Sequence, residues 1–535
     1  MQLKKTTEEL ARILTLCILA YALIVTLWYA VSAPLDHDEH QFMASAFLVA
    51  QYELYPYRDF AYFHMPNLVY LYALFFLFPH PFTLARLFSG ICGFGICLAL
   101  FLAARHLFSE RGTLARLVIP VSSVALLVNS PLFSYTTSRV WNHGLSTLCA
   151  MVAFFMLCRG IRASTPLLSF FLSGLTLGMA VGIRLSFAPV VVPFLLGIIF
   201  SRAGSGRDKM LHATVFTAGG IVANLPAVYF FLTSYDNFVF GNLGYALLNT
   251  SYREAMPPVA PMSFVEKLKD LKNSVFNKPG ELLILMAMLS SGVLLLLQMV
   301  REAVRARSEL ILLLLILPFL YLGCIAPTPT WYQYYFGLIP FIILGALYTV
   351  ANLVETNLYD AASLLIGLCA LVGFAFSAPG KNGSIVRGLM SPESWTPIRI
   401  ERTAQKIATY LQSTQGHGAI LTLSPLYAIP AGLPIFPEFV TGPFAWRVSY
   451  LLSDEDAVRR GLPLPARIKS FIKEKRPRAI LTGQEEQQLE TPLIKAAQEL
   501  EYQPIRTGVG IVTWVFPAIS RMPGEKLSFA PAFVP

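Results

Sequence analysis

The chain has 535 residues, 55% of them hydrophobic and only 13% charged, with a formal net charge of +10. That charge fraction is about half of what ordinary soluble domains carry. The apolar excess falls in runs of about 17–23 residues separated by short basic loops, which reads as a polytopic helical membrane protein and not as a nucleic-acid binder.

In chain order, eleven spans are predicted, over 10–32, 82–104, 114–134, 143–158, 167–183, 186–201, 213–232, 281–300, 310–326, 334–352 and 361–378. The apolar stretch 67–79 is too short to cross and suits an interfacial or re-entrant helix. Lys4 and Lys5 put the N-terminus in the cytoplasm. If 67–79 does not cross, the clusters Arg105/Arg111/Arg116, Arg159/Arg162, Arg202/Arg207/Lys209 and Arg301/Arg305/Arg307 are all cytoplasmic, as the positive-inside rule requires. Three segments then lie outside: 33–81, 233–280 and everything after about 378. The first apolar run leads into Pro34-Leu35-Asp36, which is not a cleavage site for a signal peptide. All seven cysteines fall in predicted helices, which argues against a disulfide framework or a cysteine metal site.

Two domains are expected. Residues 1–378 form the membrane part. Residues 379–535 are polar enough to be soluble and alternate helix-patterned stretches (395–412, 464–474, 485–500) with β-rich runs (418–423, 478–482, 509–516), the pattern of a small α/β domain. The basic stretch 469–478 suits a solvated helix face.

The chemistry concentrates in the first external loop. Asp36-His37-Asp38-Glu39-His40 follows directly on the first span, and charges at a membrane edge are functional candidates. Asp38 and Glu39 are adjacent, so on a helix they point about 100° apart and serve different targets. Asp36 fits either the N-cap of that helix or a substrate contact. Downstream, residues 55–66 interleave aromatics with Arg58, Asp59 and His64. The aromatics suit sugar stacking or an interfacial belt, and arginine suits phosphate oxygens. Further candidates for substrate binding are Asn142 and His143, which lie between two spans, and Arg184 at the outer end of the fifth. Arg184 either holds an anion or snorkels to the interface. Tyr245 and Arg253 sit in the loop 233–280, followed by a lysine-rich amphipathic segment, 264–276, that suits the headgroup surface.

This arrangement resembles the GT-C superfamily of membrane glycosyltransferases, among them the protein O-mannosyltransferases and the lipid A aminoarabinose transferases. Asp38-Glu39 matches the family's acidic pair in the first external loop. His64-Met65-Pro66 and the apolar stretch after it match its His-Pro-Pro-like element and amphipathic helix, with Met65 departing from the pattern. Trp331-Tyr332-Gln333-Tyr334-Tyr335 resembles its aromatic approach to a late span. The resemblance covers the membrane part. It implies inverting transfer of a sugar from a polyprenyl-phosphate donor to an acceptor hydroxyl on the extracytoplasmic face of a bacterial inner membrane. Asp38 would be the general base, Glu39 would orient acceptor or sugar, and Arg184 with Arg58 would hold the lipid phosphate. The acceptor would be a glycan, a lipid or a protein. Members often carry a second acidic residue in the next external loop. Ser138-Arg139-Val140-Trp141-Asn142-His143 has none, so no metal or other cofactor is expected. The alternatives are a flippase or transporter of lipid-linked glycans, and a binding module in which the C-terminal region does the work. Walker A, Rossmann, zinc-protease and Gly-x-Ser-x-Gly signatures are absent from the sequence.

Overall fold

The computed structural model describes residues 2–201, 204–256, 262–301, 307–412, 418–508 and 510–516. Each of the eleven apolar stretches is helical. Seven helices are long and apolar enough to cross a membrane, and two bent pairs, Ala115–Val128 with Pro131–Thr137 and Gly206–Ala223 with Leu225–Thr233, bring the number to nine. Leu167–Ile183 and Leu185–Ile199 are shorter apolar helices. Length and composition alone therefore support up to nine crossings among the described residues, and not the eleven expected. The protein is a multi-pass membrane protein.

The bends have local causes. Asn129 and Ser130 interrupt the first pair ahead of Pro131, and Ser130 caps the next helix by accepting from the Phe133 N–H. In the second pair, Asn224 ends one helix and Pro226 stands in the first turn of the next. A proline there gives up an N–H that would have no partner within the helix. The stretch 67–79 becomes the helix Asn67–Ala73 followed by a 3₁₀ turn, Leu74–Leu77. At about 1.5 Å per residue this is far short of a bilayer core.

Small residues set one close helix pair. Gly174, Gly178 and Gly182 recur every fourth position on Leu167–Ile183, against Gly206–Ala223. A Cβ at Gly174 would sit 1.8 Å from the Phe216 carbonyl oxygen, and one at Gly178 2.7 Å from Gly220. Backbones approach this closely in membranes where glycine forms the interface.

The ends of the apolar segments collect in two layers. At one end, Arg162–Glu309 and Arg301–Glu355 ion pairs and Arg111 donating to the Leu353 carbonyl tie helix ends together. At the other end, parts of 36–65, 135–143, 184–186, 242–253 and 327–334 surround a cavity.

The last long helix, Thr356–Leu389, runs through residue 378 without a break. After it, a four-stranded sheet forms from β1 (Ile420–Thr422), β2 (Ala479–Thr482), β3 (Gln503–Gly508) and β4 (Ile511–Val515). Its order is β1-β2-β4-β3, with β1 and β2 parallel and the other pairs antiparallel. Helices Thr396–Gln412, Ile468–Lys475 and Gln487–Glu499 pack with it. Strand β3 lies outside the β-rich runs of the sequence: its polar, Pro504-containing stretch suits an edge, which is where it sits. The basic stretch is solvated in part, with Lys469 paired to Glu499. This C-terminal region docks on the membrane part through polar clamps. Glu401 accepts from Thr83 and contacts His80 Nδ1 at 2.6 Å. The Leu426 N–H donates to His40 Nδ1. Burial pushes the His40 imidazole down to about 3, so it stays a neutral acceptor at ordinary pH.

Candidate active site

The acidic cluster becomes the first turn of the helix His37–Tyr52. Asp36 is its N-cap, with φ −119° and ψ 144°; its Oδ1 accepts from the Asp38 N–H at 3.0 Å. Glu39 closes a capping box by accepting from the Asp36 N–H at 3.1 Å.

Glu39 does more than cap. It is fully buried and forms a bidentate pair with Arg86, at 2.9 and 2.5 Å, and its Oε1 also accepts from the Val140 N–H. Arg86 spends its other donors on the carbonyls of Ala30, Ala33 and Pro34. One carboxylate thus ties together the end of the first span, the start of the second and the loop before His143. Glu39 does not line the cavity, so the structure gives no geometry for the orienting role expected of it.

Asp38, turned to the other side, lines a cavity of about 340 Å³. Among the described residues no group hydrogen-bonds its carboxylate or pairs with it. Burial, reinforced by neighbouring Asp36, pushes its carboxyl up to about 6. His37, Arg447 and Arg184 oppose that rise. Asp36 is neutralised separately: its Oδ2 lies 3.8 Å from Arg139 Nε.

Eight of the eleven sequence candidates line this cavity: Asp36, Asp38, His64, Asn142, His143, Arg184, Tyr245 and Arg253. Arg184 donates from Nε to Ser186 and from Nη1 to Asn142 Oδ1 at 2.9 Å, with its guanidinium over the Tyr334 ring. The Asn142 amide nitrogen, both His143 ring nitrogens and Trp141 Nε1 are buried without hydrogen-bond partners among the described residues. Tyr245 stacks on Phe63 at 3.9 Å, and Arg253 lies over Trp331. Burial and the nearby Arg184 push the His64 imidazole down to about 3, so it is neutral. Arg58 and Asp59 are not brought in. They pair with each other at the surface, with the Arg58 side chain 48% exposed.

Three arginines of this region escape a reading of the sequence. Arg86 carries a signal, a charge inside an apolar run. Arg139 stands in a loop whose sequence draws attention only to a missing acid. Arg447 comes from the short helix Pro443–Val448 of the C-terminal region, in a stretch with no periodicity to mark it. Lys267, expected on a headgroup-facing helix, instead turns inward and donates to the carbonyls of Ile325 and Pro327 and to the Thr328 hydroxyl. Phe264, Val265 and Leu268 of the same helix are exposed.

Asp36, His37 and Asp38 bring potential metal-ligand atoms within 4.8 Å of one another. Asp36 Oδ1 accepts from the Asp38 N–H and its Oδ2 faces Arg139, while among the described residues the Asp38 carboxylate has no hydrogen-bond partner.

No protein-family model matches the chain, and no curated protein matches it by sequence. Solved structures do match its fold. ArnT from Cupriavidus metallidurans bound to undecaprenyl phosphate aligns over 96% of this chain and 99% of its own, at 12% identity and a TM-score of 0.58. The apo state of ArnT aligns over the same shares, at 14% identity and a TM-score of 0.59. The chain therefore shares the fold of ArnT along almost its whole length.

Proposed function

We propose that this protein transfers a sugar from a polyprenyl-phosphate donor to an acceptor hydroxyl, with inversion at the anomeric carbon. The observation that carries the reading is one cavity holding a carboxylate without a partner, Asp38, and guanidiniums without a carboxylate, Arg184 and Arg253. A volume of about 340 Å³ falls in the small-ligand range. The fold shared with ArnT, solved with undecaprenyl phosphate, supports a lipid-linked donor.

In this reading Asp38 takes the acceptor's proton as the hydroxyl oxygen attacks the anomeric carbon. The bond from that carbon to the phosphate oxygen breaks, and the lipid phosphate leaves with the electron pair. Arg184 counters its growing charge. A positioned general base typically contributes about 10²–10⁴-fold, and orientation supplies more. The unpartnered Asn142 amide, His143 and Trp141 Nε1 are placed to bind sugar hydroxyls, since buried polar groups left unmade are costly. The positive-inside rule, applied to the basic clusters between the apolar segments, supports a cavity on the extracytoplasmic side of a bacterial inner membrane. No step requires a metal.

The test is transfer of label from a panel of radiolabelled polyprenyl-phosphate sugars by purified protein in lipid, wild type beside Asp38→Asn. Label moving to an acceptor or to water with wild type alone supports the reading and identifies the donor. Tight lipid binding without turnover of any donor points to lipid-linked glycan transport instead.

A further inference from the structure

The cavity holds more positive charge than the proposed reaction consumes. Asp36 and Arg139 cancel, which leaves Asp38 against Arg184, Arg253 and Arg447. A donor phosphodiester brings a single negative charge. After transfer the freed phosphate carries one more, but Asp38 has by then taken the proton. Among the residues that line the cavity one positive charge is left over in both states, with Glu485 and Glu486 nearby but outside the lining.

Arg447 is the guanidinium best placed to carry that surplus. It is only 8% exposed, and its Nε has no hydrogen-bond partner. Nη2 donates to Asn249 Oδ1 at 2.9 Å and to the Tyr245 hydroxyl at 3.2 Å, both neutral. Its guanidinium carbon lies over the Phe444 and Tyr252 rings. Arg253 lies over Tyr252 and Trp331, and its Nε is also unpartnered. Two like charges that share one aromatic ring, Arg447 buried and Arg253 half-buried, repel each other unless an anion joins them. Arginine in this setting suits an oxyanion with two acceptor oxygens.

We propose that Arg447, delivered by the C-terminal region, together with Arg253 forms a second oxyanion slot that holds a phosphate or carboxylate group of the substrate. The C-terminal region then completes the site and is not only a cover. The slot deepens the transfer reading and rests on it for the identity of the ligand. The binding test below needs no turnover, so its failure is separable from the failure of that reading.

Full-length protein in lipid nanodiscs is titrated with inorganic phosphate at constant ionic strength, with and without saturating undecaprenyl phosphate. Arg447→Gln is expected to weaken phosphate binding at least tenfold, and Arg447→Lys to restore part of it. Phosphate binding that survives lipid loading and is lost in Arg447→Gln assigns the slot to an anionic group of the acceptor or sugar. Phosphate binding abolished by the lipid, with undecaprenyl phosphate affinity down at least tenfold in Arg447→Gln, makes Arg447 part of the donor-phosphate site and overturns a second slot. Unchanged binding of both probes in Arg447→Gln overturns the slot. Asn249→Ala keeps the test open should that variant not fold: a threefold or greater loss of phosphate affinity supports the slot, and none overturns it.

Discussion

The two faces of the helix His37–Tyr52 put neighbouring carboxylates to opposite uses. On the packed face, Glu39 is saturated by two Arg86 bonds and two backbone N–H groups. On the cavity face, Asp38 has no hydrogen-bond or ion-pair partner among the described residues, and burial pushes its carboxyl up to about 6. A fully satisfied buried carboxylate has no lone pair to spare. A partly buried, unpaired one has both a free acceptor and a proton affinity near neutrality, which is what general-base work requires. The lesson is that satisfaction, more than burial or sequence proximity, separates a brace from a reactive group.

The comparison can be broken most decisively at Asp38. Asp38→Asn is expected to lower transfer by about 10²–10⁴-fold. Its stability should not fall. The carboxyl is raised from 3.8 to about 6, so its contribution to stability is complete below 3.8 and is lost as pH climbs through about 6. Above that the ionised group opposes folding. An amide lacks this penalty, so thermal unfolding at about pH 7.5 should occur at the wild-type temperature or higher; a lower temperature would make Asp38 a structural residue.

Glu39→Gln should behave in the reverse sense. It leaves Arg86 buried without its counter-charge, a loss of about 3–5 kcal/mol. Unfolding temperature and detergent-extracted yield should both drop, and any protein that folds should keep measurable transfer. A stable, inactive Glu39→Gln would return Glu39 to the chemistry.

The pH profile sharpens the same contrast. With Asp38 as base, transfer by wild type should fall about tenfold per pH unit below about 6. A rate flat from about pH 5 to 8 would remove Asp38 from the proton-transfer step. The smallest effect belongs to Arg58→Ala. Its ion pair with Asp59 is exposed, and such pairs contribute about 0–1 kcal/mol. Donor affinity and turnover should match wild type, and a tenfold rise in KM would bring Arg58 back to the lipid phosphate.

Much of the architecture can be read from the chain. Apolar runs mark helices wherever lipid removes every alternative for the backbone, and all eleven are helical here. The acidic cluster after the first span points to the site, and helical geometry separates Asp38 from Glu39, because adjacent residues diverge by about 100°. It does not say which of the two faces the cavity. That choice depends on Arg86, 47 positions away from Glu39. Likewise Arg58 and His64 belong to one loop and look equivalent in sequence, yet the fold leaves one at the surface and aims the other inward. Arg447 is the extreme case, since it meets Asn249 only through docking of the C-terminal region. Periodicity and composition report local interactions, which is why they reveal the helices and the acidic turn. Partnership between distant charges is decided by packing, where a buried group takes whichever complement the fold brings within about 3 Å.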